Sequence, residues 1–316
     1  MVRRGVTSIS FVIPCFQSRE NLAALVVDIF RVADSNDRTV EVVLVLDSRG
    51  ISTSEVLGDS VFASDRVRIV ELSRNFGQHN ALAAGICRTS GDFIVTLDDD
   101  YQHKPEDALD MVDLLVSDNG LDLVYGSPQK SRQSPARVVA GSLLRGALRL
   151  AGLKNSWMIS PFRAFRGQFR RVFSGLHGPN VSVDIVLSWV VGSVVSVEVD
   201  YQERAQGVSG YSHKKLFSLA MTYLIAQSVG PLRFGLFAGL FGLLATVGSG
   251  IFTLFSFLAG GITEPGFTTV ALLVALTGSL QLFILGVLGE YIGLQHRRGM
   301  SFPLNFVLRD SGARDE

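Results

Sequence analysis

The chain has 316 residues, a positive mean hydropathy, and 29 basic side chains balanced by 29 acidic ones. That length accommodates one or two domains with a sizeable core; with no net charge, no nucleic-acid partner is expected. Two cysteines, Cys15 and Cys87, give neither a disulfide framework nor metal-ligand spacing. They read as buried, inert thiols.

In chain order, Arg3 and Arg4 lead only into the short apolar run ISFVIP, ended by Pro14, so no signal peptide is expected. SISFVIP (8–14) reads as a buried strand, 20–33 as an apolar-periodic helix, and VEVVLVL (40–46) and VRIVEL (67–72) as two further strands. A helix over 78–88, strand DFIVTL (92–97), a helix over 106–117 and strand DLVYG (122–126) follow. Continuous β-branched strands alternating with helices predict an α/β fold with a mainly parallel, Rossmann-like sheet. Ligands of such sheets sit at the C-terminal ends of the strands. That rule selects Asp47, Ser73 to Asn75, and Asp98 to Gln102.

The most informative segment is TLDDDYQHKPED (96–107). Two carboxylates about 5 Å apart repel by roughly 3 kcal/mol at an effective dielectric of 20, and a divalent cation turns that repulsion into attraction. Alternate carboxylates, Asp98 and Asp100, are placed to converge on one ion of the Mg2+ or Mn2+ kind, which prefers hard oxygen ligands and substrate phosphates. The competing reading is a solvated acidic turn that caps the next helix.

Two basic amphipathic stretches follow, RVVAGSLLRGALRLAGL (137–153) and HKKLFSLAMTYLIAQSV (213–229). Each reads as an interfacial helix on anionic lipid or as an ordinary surface helix. Phe234 to Leu258 holds no ionisable side chain and contains 14 Leu, Ile, Val or Phe residues. At about 0.3–0.6 kcal/mol each, these favour bilayer insertion by roughly 4–8 kcal/mol at most. Val270 to Gly289 is a second such run, with Gln281 its one strongly polar residue. Two transmembrane helices are therefore expected. Arg233 precedes the pair, Arg297 and Arg298 follow it, and the loop between holds Glu264 and no Lys or Arg. The positive-inside bias then puts both termini in the cytoplasm. Small-xxx-small spacing at Gly235/Gly239 and Gly289/Gly293 would permit close helix packing. The expected organisation is a domain over 1–212, an interfacial helix over 213–230, a membrane hairpin over 231–293 and a cytoplasmic tail over 294–316.

Several segments resemble glycosyltransferase family 2. VIPCFQSRENL (12–22) is similar to VIPxYNExExL, LSRNFGQHNALAAGI (72–86) to LxRNxGqxxAixAG, and LDDDYQHKPED to LDADLQxPPEx. ISPFRAFR (159–166) resembles xxxFRAYR, and ERAQGVSGY (203–211) resembles ERxxGESKY. GVLGEYIGLQHRRGMSFPLNFV (286–307) resembles GxxGEYIGRIYxExxxRPxYxV. The combination matches the polyprenyl-phosphate glycosyltransferases of that family.

The resemblance implies a GT-A fold and an inner-membrane enzyme. It would transfer a sugar, with inversion, from a UDP- or GDP-type nucleotide-diphosphate sugar to a polyprenyl phosphate, and would act as a homo-oligomer. Asp98, Asp100 and Gln102 would hold Mg2+ or Mn2+. Pro14, Phe16, Asp47, Asn75, Gln78, Asp98 and Asp99 would line the nucleotide sugar. Arg132, Arg163, Arg204, Ser209 and Tyr211 would bind the acceptor phosphate, and Asp98, Asp100, Arg163 and Arg204 would carry the catalysis. Asp184 reads either as a sugar or acceptor contact or as an exposed helix residue; His79 and His103 read as structural or substrate-orienting.

The chain departs from the family pattern at several points. VDDGS is LDSRG (46–50), leaving only Asp47; the Glu of PxYNE is Ser18; the Lys of GESKY is Gly210. A basic residue is missing at Ser127-Pro128-Gln129, with Lys130 or Arg132 as substitutes. These departures keep a second class open, a non-catalytic membrane scaffold with a degenerate nucleotide-sugar fold. A polysaccharide synthase would carry more spans and a QxxRW motif, and a transporter would need more than two spans per chain.

Overall fold

The computed structural model describes residues 7–16, 22–48, 64–128, 160–176, 182–200, 266–299, 303 and 305–312, with scattered helical positions between 237 and 259. The chain divides into two compact units. One comprises Met1–Arg145, Leu153–Gly210 and Met300–Glu316, the other Gly146–Gly152 and Tyr211–Gly299.

The first unit is built on one sheet. Its strands are β1 (Ser8–Cys15), β2 (Thr39–Leu46), β3 (Val67–Leu72), β4 (Phe93–Thr96), β5 (Leu123–Pro128), β6 (Arg163–Arg166), β7 (Val194–Val199) and β8 (Val307–Asp310). Their order across the sheet is β7-β5-β6-β4-β1-β2-β3-β8. The helices are α1 (Leu22–Ser35), α2 (Gln78–Ile86), α3 (Pro105–Ser117), α4 (Arg170–Ser174) and α5 (Val183–Val190). Strand side chains alternate between faces with period two. Phe11, Ile13, Val42 and Leu44 therefore meet α1 and α3 in one core, while Val12, Val43, Val45 and Val70 meet α2, α4 and α5 in the other. Burial on both faces explains the unbroken apolar runs; each fully buried Val, Leu or Ile contributes about 1.5–3 kcal/mol. Helix α2 comes close because residue 85 is glycine: a Cβ there would lie 2.5 Å from Val12 and 2.7 Å from Val45.

The central strands β4, β1, β2 and β3 are parallel, as predicted. Beyond them the sheet is mixed. β6 inserts between β4 and β5 and runs antiparallel to both, and β8 pairs antiparallel with β3. RAFR is too short and too charged to announce a strand by local pattern; its backbone is captured by the two unpaired edges beside it. The segment after the long helix is likewise more than a tail. Asp310 receives Arg68 at 2.7 Å and Arg88 at 2.8 Å, which fixes β8 to β3. Of the two thiols, Cys15 is buried as expected, but Cys87 is exposed.

In the second unit, α6 spans Phe267–Gly299, 33 residues or about 50 Å. It runs ten residues past Gly289, where the apolar run ends, and no proline interrupts it. Its stretch Leu276–Gly293 is long and apolar enough to cross a membrane, and none of it is buried. Among the described residues this is the one such helix. Positions 237–258 are helical where described, with Phe237, Phe241, Phe252 and Phe255 all exposed. A Cβ at Gly242 would lie 3.3 Å from Leu280, and one at Gly239 would lie 3.7 Å from Ile284, so the two helical segments pack on small residues there. Among the described residues, nothing comes within 4 Å of a Cβ placed at Gly289 or Gly293. The interfacial stretches 137–153 and 213–229 lie outside the described residues.

Candidate active site

Parallel register brings the C-terminal ends of four strands to one edge. Cys15 is level with Leu46, Leu46 with Glu71, and Val12 with Thr96. Pro14 and Phe16, Asp47, Asn75 and the Asp98–Gln102 turn therefore share that edge. The start of β6 joins them, because its antiparallel course sets Arg163 beside Thr96 and Tyr125. Pro14 is buried within β1, and Phe16, just past its end, is exposed.

Asp47 is buried, and its carboxylate accepts the backbone N–H of Phe76 at 2.7 Å and of Gly77 at 2.8 Å. Burial pushes its carboxyl above the ordinary value, and the two N–H groups only partly offset this. Asn75 Oδ1 also accepts the Gly77 N–H, at 2.9 Å. Gly77 sits at φ 89 and ψ 152, a region open essentially only to glycine. Asp47 thus braces the loop that delivers Gln78. Gln78 Nε2 in turn donates to Asp98 Oδ1 at 2.5 Å, so the second predicted contact region is tied directly to the acidic turn.

Asp98, Asp99 and Asp100 are half-buried. Asp100 Oδ1 accepts the Gln102 N–H at 3.2 Å, closing the turn. Between them Tyr101 takes φ 59, and its hydroxyl donates to Asp28 on α1. Burial, followed by the Asp28 carboxylate, pushes the Tyr101 hydroxyl up to about 12. His103 is buried and stacked on Phe162 with ring centroids 4.6 Å apart; desolvation brings it down to about 4 against the opposing pull of Asp100. A neutral, stacked ring fits the structural reading of His103. Half-buried His79 is likewise held below its ordinary value by desolvation.

The donor chemistry at this edge fits a hard divalent cation. Asp98 and Asp100 would supply carboxylate oxygens, and Gln102 an amide. Among the described residues no cluster of three or more His, Cys, Asp or Glu side chains converges there. A cation held by so few protein ligands completes its shell with substrate phosphate and water, the habit of Mg2+ and Mn2+.

Arg163 is placed differently from a surface phosphate clamp. It is 1% exposed, and its NH1 donates to Asp184 Oδ1 at 2.6 Å while Nε reaches the Pro161 carbonyl at 3.3 Å. Tyr125 Oη donates to the same Asp184 oxygen at 2.9 Å. Asp184 is therefore buried, not an exposed helix residue. Burial first, then Asp184, raises the Tyr125 hydroxyl well above its ordinary value. Sequence reading missed this grouping because its members lie far apart in the chain and no local pattern joins them. Arg132, Arg204, Ser209 and Tyr211 lie outside the described residues. The chain does reach the same edge just before that last group: Asp200, at the end of β7, pairs with Lys104 at 3.0 Å.

The Glycosyl transferase family 2 model matches residues 10–176. An undecaprenyl-phosphate 4-deoxy-4-formamido-L-arabinose transferase from Edwardsiella ictaluri (strain 93-146) is 29% identical over 309 residues, covering 96% of this chain and 94% of that protein. The enzyme of the same name from Shewanella sediminis (strain HAW-EB3) is 30% identical over 305 residues, covering 92% and 88%. Among solved structures, glucosyl-3-phosphoglycerate synthase from Mycobacterium tuberculosis, in complex with Mn2+, UDP and phosphoglyceric acid, aligns with a TM-score of 0.50 and 18% identity over 70% of this chain and 77% of that one. Mannosyl-3-phosphoglycerate synthase from Rubrobacter xylanophilus aligns with a TM-score of 0.50 and 15% identity over 70% and 73%. Likeness at that level concerns the fold, which is the GT-A arrangement of a nucleotide-sugar domain.

Proposed function

This chain belongs to glycosyltransferase family 2, and from that premise we propose that it transfers a sugar, with inversion, from a nucleotide-diphosphate sugar to a polyprenyl phosphate in the cytoplasmic leaflet. The observation that carries the reading is the tie between Gln78 and Asp98, which joins the acidic turn to the Asp47-braced loop at a single sheet edge. The relatives named for undecaprenyl-phosphate sugar transfer, matched over nearly their whole length, support the lipid acceptor. The UDP-bound structural neighbour supports a UDP-type donor.

In this reading the Asp47-braced loop, Asn75 and Gln78 orient the nucleotide, with Pro14, Phe16 and Asp99 completing its walls. Asp98, Asp100 and Gln102 hold Mg2+ or Mn2+, which when bound offsets the negative charge gathering on the leaving diphosphate. One acceptor phosphate oxygen attacks the anomeric carbon from the face opposite the diphosphate. The new carbon–oxygen bond forms as the old one breaks, and the nucleoside diphosphate leaves. A phosphate acceptor is already ionised, so the attack needs no strong base. Arg132, Arg204, Ser209 and Tyr211 hold the acceptor against its repulsion from the donor. Arg163, at the start of β6, is held by its buried pair with Asp184. Two membrane helices, with both termini cytoplasmic, would anchor the chain, as a homo-oligomer, in the membrane that holds the acceptor.

The deciding experiment is a mass-spectrometric screen of nucleotide sugars against undecaprenyl and dolichyl phosphate, with a UDP-linked 4-deoxy-4-formamido-L-arabinose among the donors. Lipid-linked monosaccharide is the expected product. No product from any donor, together with no Mn2+-dependent UDP binding by calorimetry, would identify a non-catalytic scaffold instead.

A further inference from the structure

We infer that Tyr101 is a positioning residue for the acidic turn, acting through a hydroxyl strut to Asp28 on α1. The inference rests on Asp98 and Asp100 as the cation site. Tyr101 directly follows the three aspartates and takes φ 59. Among the described residues only Asp37 shares a positive φ without being glycine. Asp has a short polar side chain that can satisfy its own backbone in that conformation, whereas tyrosine does not. Something beyond the turn must hold it.

The hold comes from α1. The Tyr101 hydroxyl donates to Asp28 Oδ2, across 73 positions of sequence. Asp28 Oδ1 accepts Arg31 Nε at 2.9 Å, and Arg31 NH2 reaches Glu106 Oε1 at 3.3 Å in the first turn of α3. The strut is therefore anchored on both α1 and α3. The Tyr101 ring packs against the core shared by those helices. At the near end of the turn, Gln78 holds Asp98. At the far end, the reversal at Tyr101 lets Asp100 Oδ1 accept the Gln102 N–H. The position of the Asp100 carboxylate thus depends on a contact that Asp100 itself does not make. Loss of such outer support commonly weakens metal binding by about 10–100-fold.

The test uses the full chain in detergent with three variants: Tyr101→Phe, which deletes only the hydroxyl, Asp28→Ala, and the two combined. Two quantities are read: amide hydrogen exchange of the peptide covering the turn without metal, and Mn2+ affinity in the presence of UDP. Each single variant is expected to speed exchange in the turn and weaken Mn2+ binding about tenfold. The double variant should be no worse than Asp28→Ala alone, because that substitution already removes the contact that Tyr101→Phe deletes. Unchanged exchange in Tyr101→Phe overturns the strut, as does additivity in the double variant. Faster exchange with Mn2+ affinity within about twofold of the parent overturns the positioning role and leaves only a structural one. If the parent chain binds no Mn2+ while exchange still responds to both variants, the cation reading fails and the strut stands as a brace of the turn.

Discussion

The Arg163 guanidinium and the Asp184 carboxylate form an ion pair 2.6 Å long, with side chains 1% and 7% exposed, between strand β6 and helix α5. Removing one partner strands the other charge in the interior. Asp184→Ala should therefore destabilise the chain by about 3–5 kcal/mol. Replacing both, as Arg163→Met with Asp184→Leu, should cost much less, because no buried charge remains. Thermal unfolding midpoints in detergent would order the three proteins; a double variant as damaged as Asp184→Ala would contradict the explanation.

Asp100→Ala should abolish sugar transfer and Mn2+-dependent UDP binding while leaving the fold intact. The residue is half-buried and gives up one hydrogen bond, from the Gln102 N–H, so stability should change by only about 0.5–1.5 kcal/mol. Parent-like turnover in this variant, still requiring metal, would refute the assignment of the acidic turn.

The loop before α2 should be sensitive to any side chain at residue 77. Gly77→Ala forces a Cβ into the glycine-only region at φ 89 and should cost about 1–3 kcal/mol. It also disturbs the N–H that Asp47 receives at 2.8 Å, so UDP affinity should fall alongside stability. Asp47→Asn should produce a similar pattern, since an amide presents a donor to one of two backbone donors. Calorimetric UDP titrations of both variants provide the check.

Acid should loosen the attachment of β8. Burial pushes the Asp310 carboxyl up, but Arg68, the Gly312 N–H and Arg88 together bring it below its ordinary value of 3.8. A carboxyl lowered in the folded state contributes stability above its unfolded pKa and loses it as pH falls through the folded one. The contribution should be constant at neutral pH, begin to shrink below about pH 4, and be lost as pH falls through the lower folded value. Asp310→Asn should lower stability by about 1–3 kcal/mol at pH 7. The gap between parent and variant midpoints should narrow as the pH is lowered below about 4; a gap that stays constant would show that charge is not its source.

The sequence by itself determined the parts whose signals are local. Unbroken β-branched runs specified β1 to β4, apolar periodicity specified α1 and α3, and an uncharged apolar run specified most of α6. The rule that ligands gather at the C-terminal ends of parallel strands selected Asp47, Asn75 and the Asp98–Gln102 turn before any geometry was available, and register then placed them on one edge. Tertiary structure alone decided what depends on residues meeting across the chain. β6 and β8 became strands because neighbouring strands offered unpaired backbone edges, which four-residue segments such as RAFR and VLRD do not advertise. Arg163 became half of a buried pair with a carboxylate 21 positions away, and Tyr101 adopted a left-handed turn held by an aspartate 73 positions earlier. Hydrophobic period is written into consecutive residues; the partner of a charge or a hydroxyl is settled only when the sheet brings distant segments together.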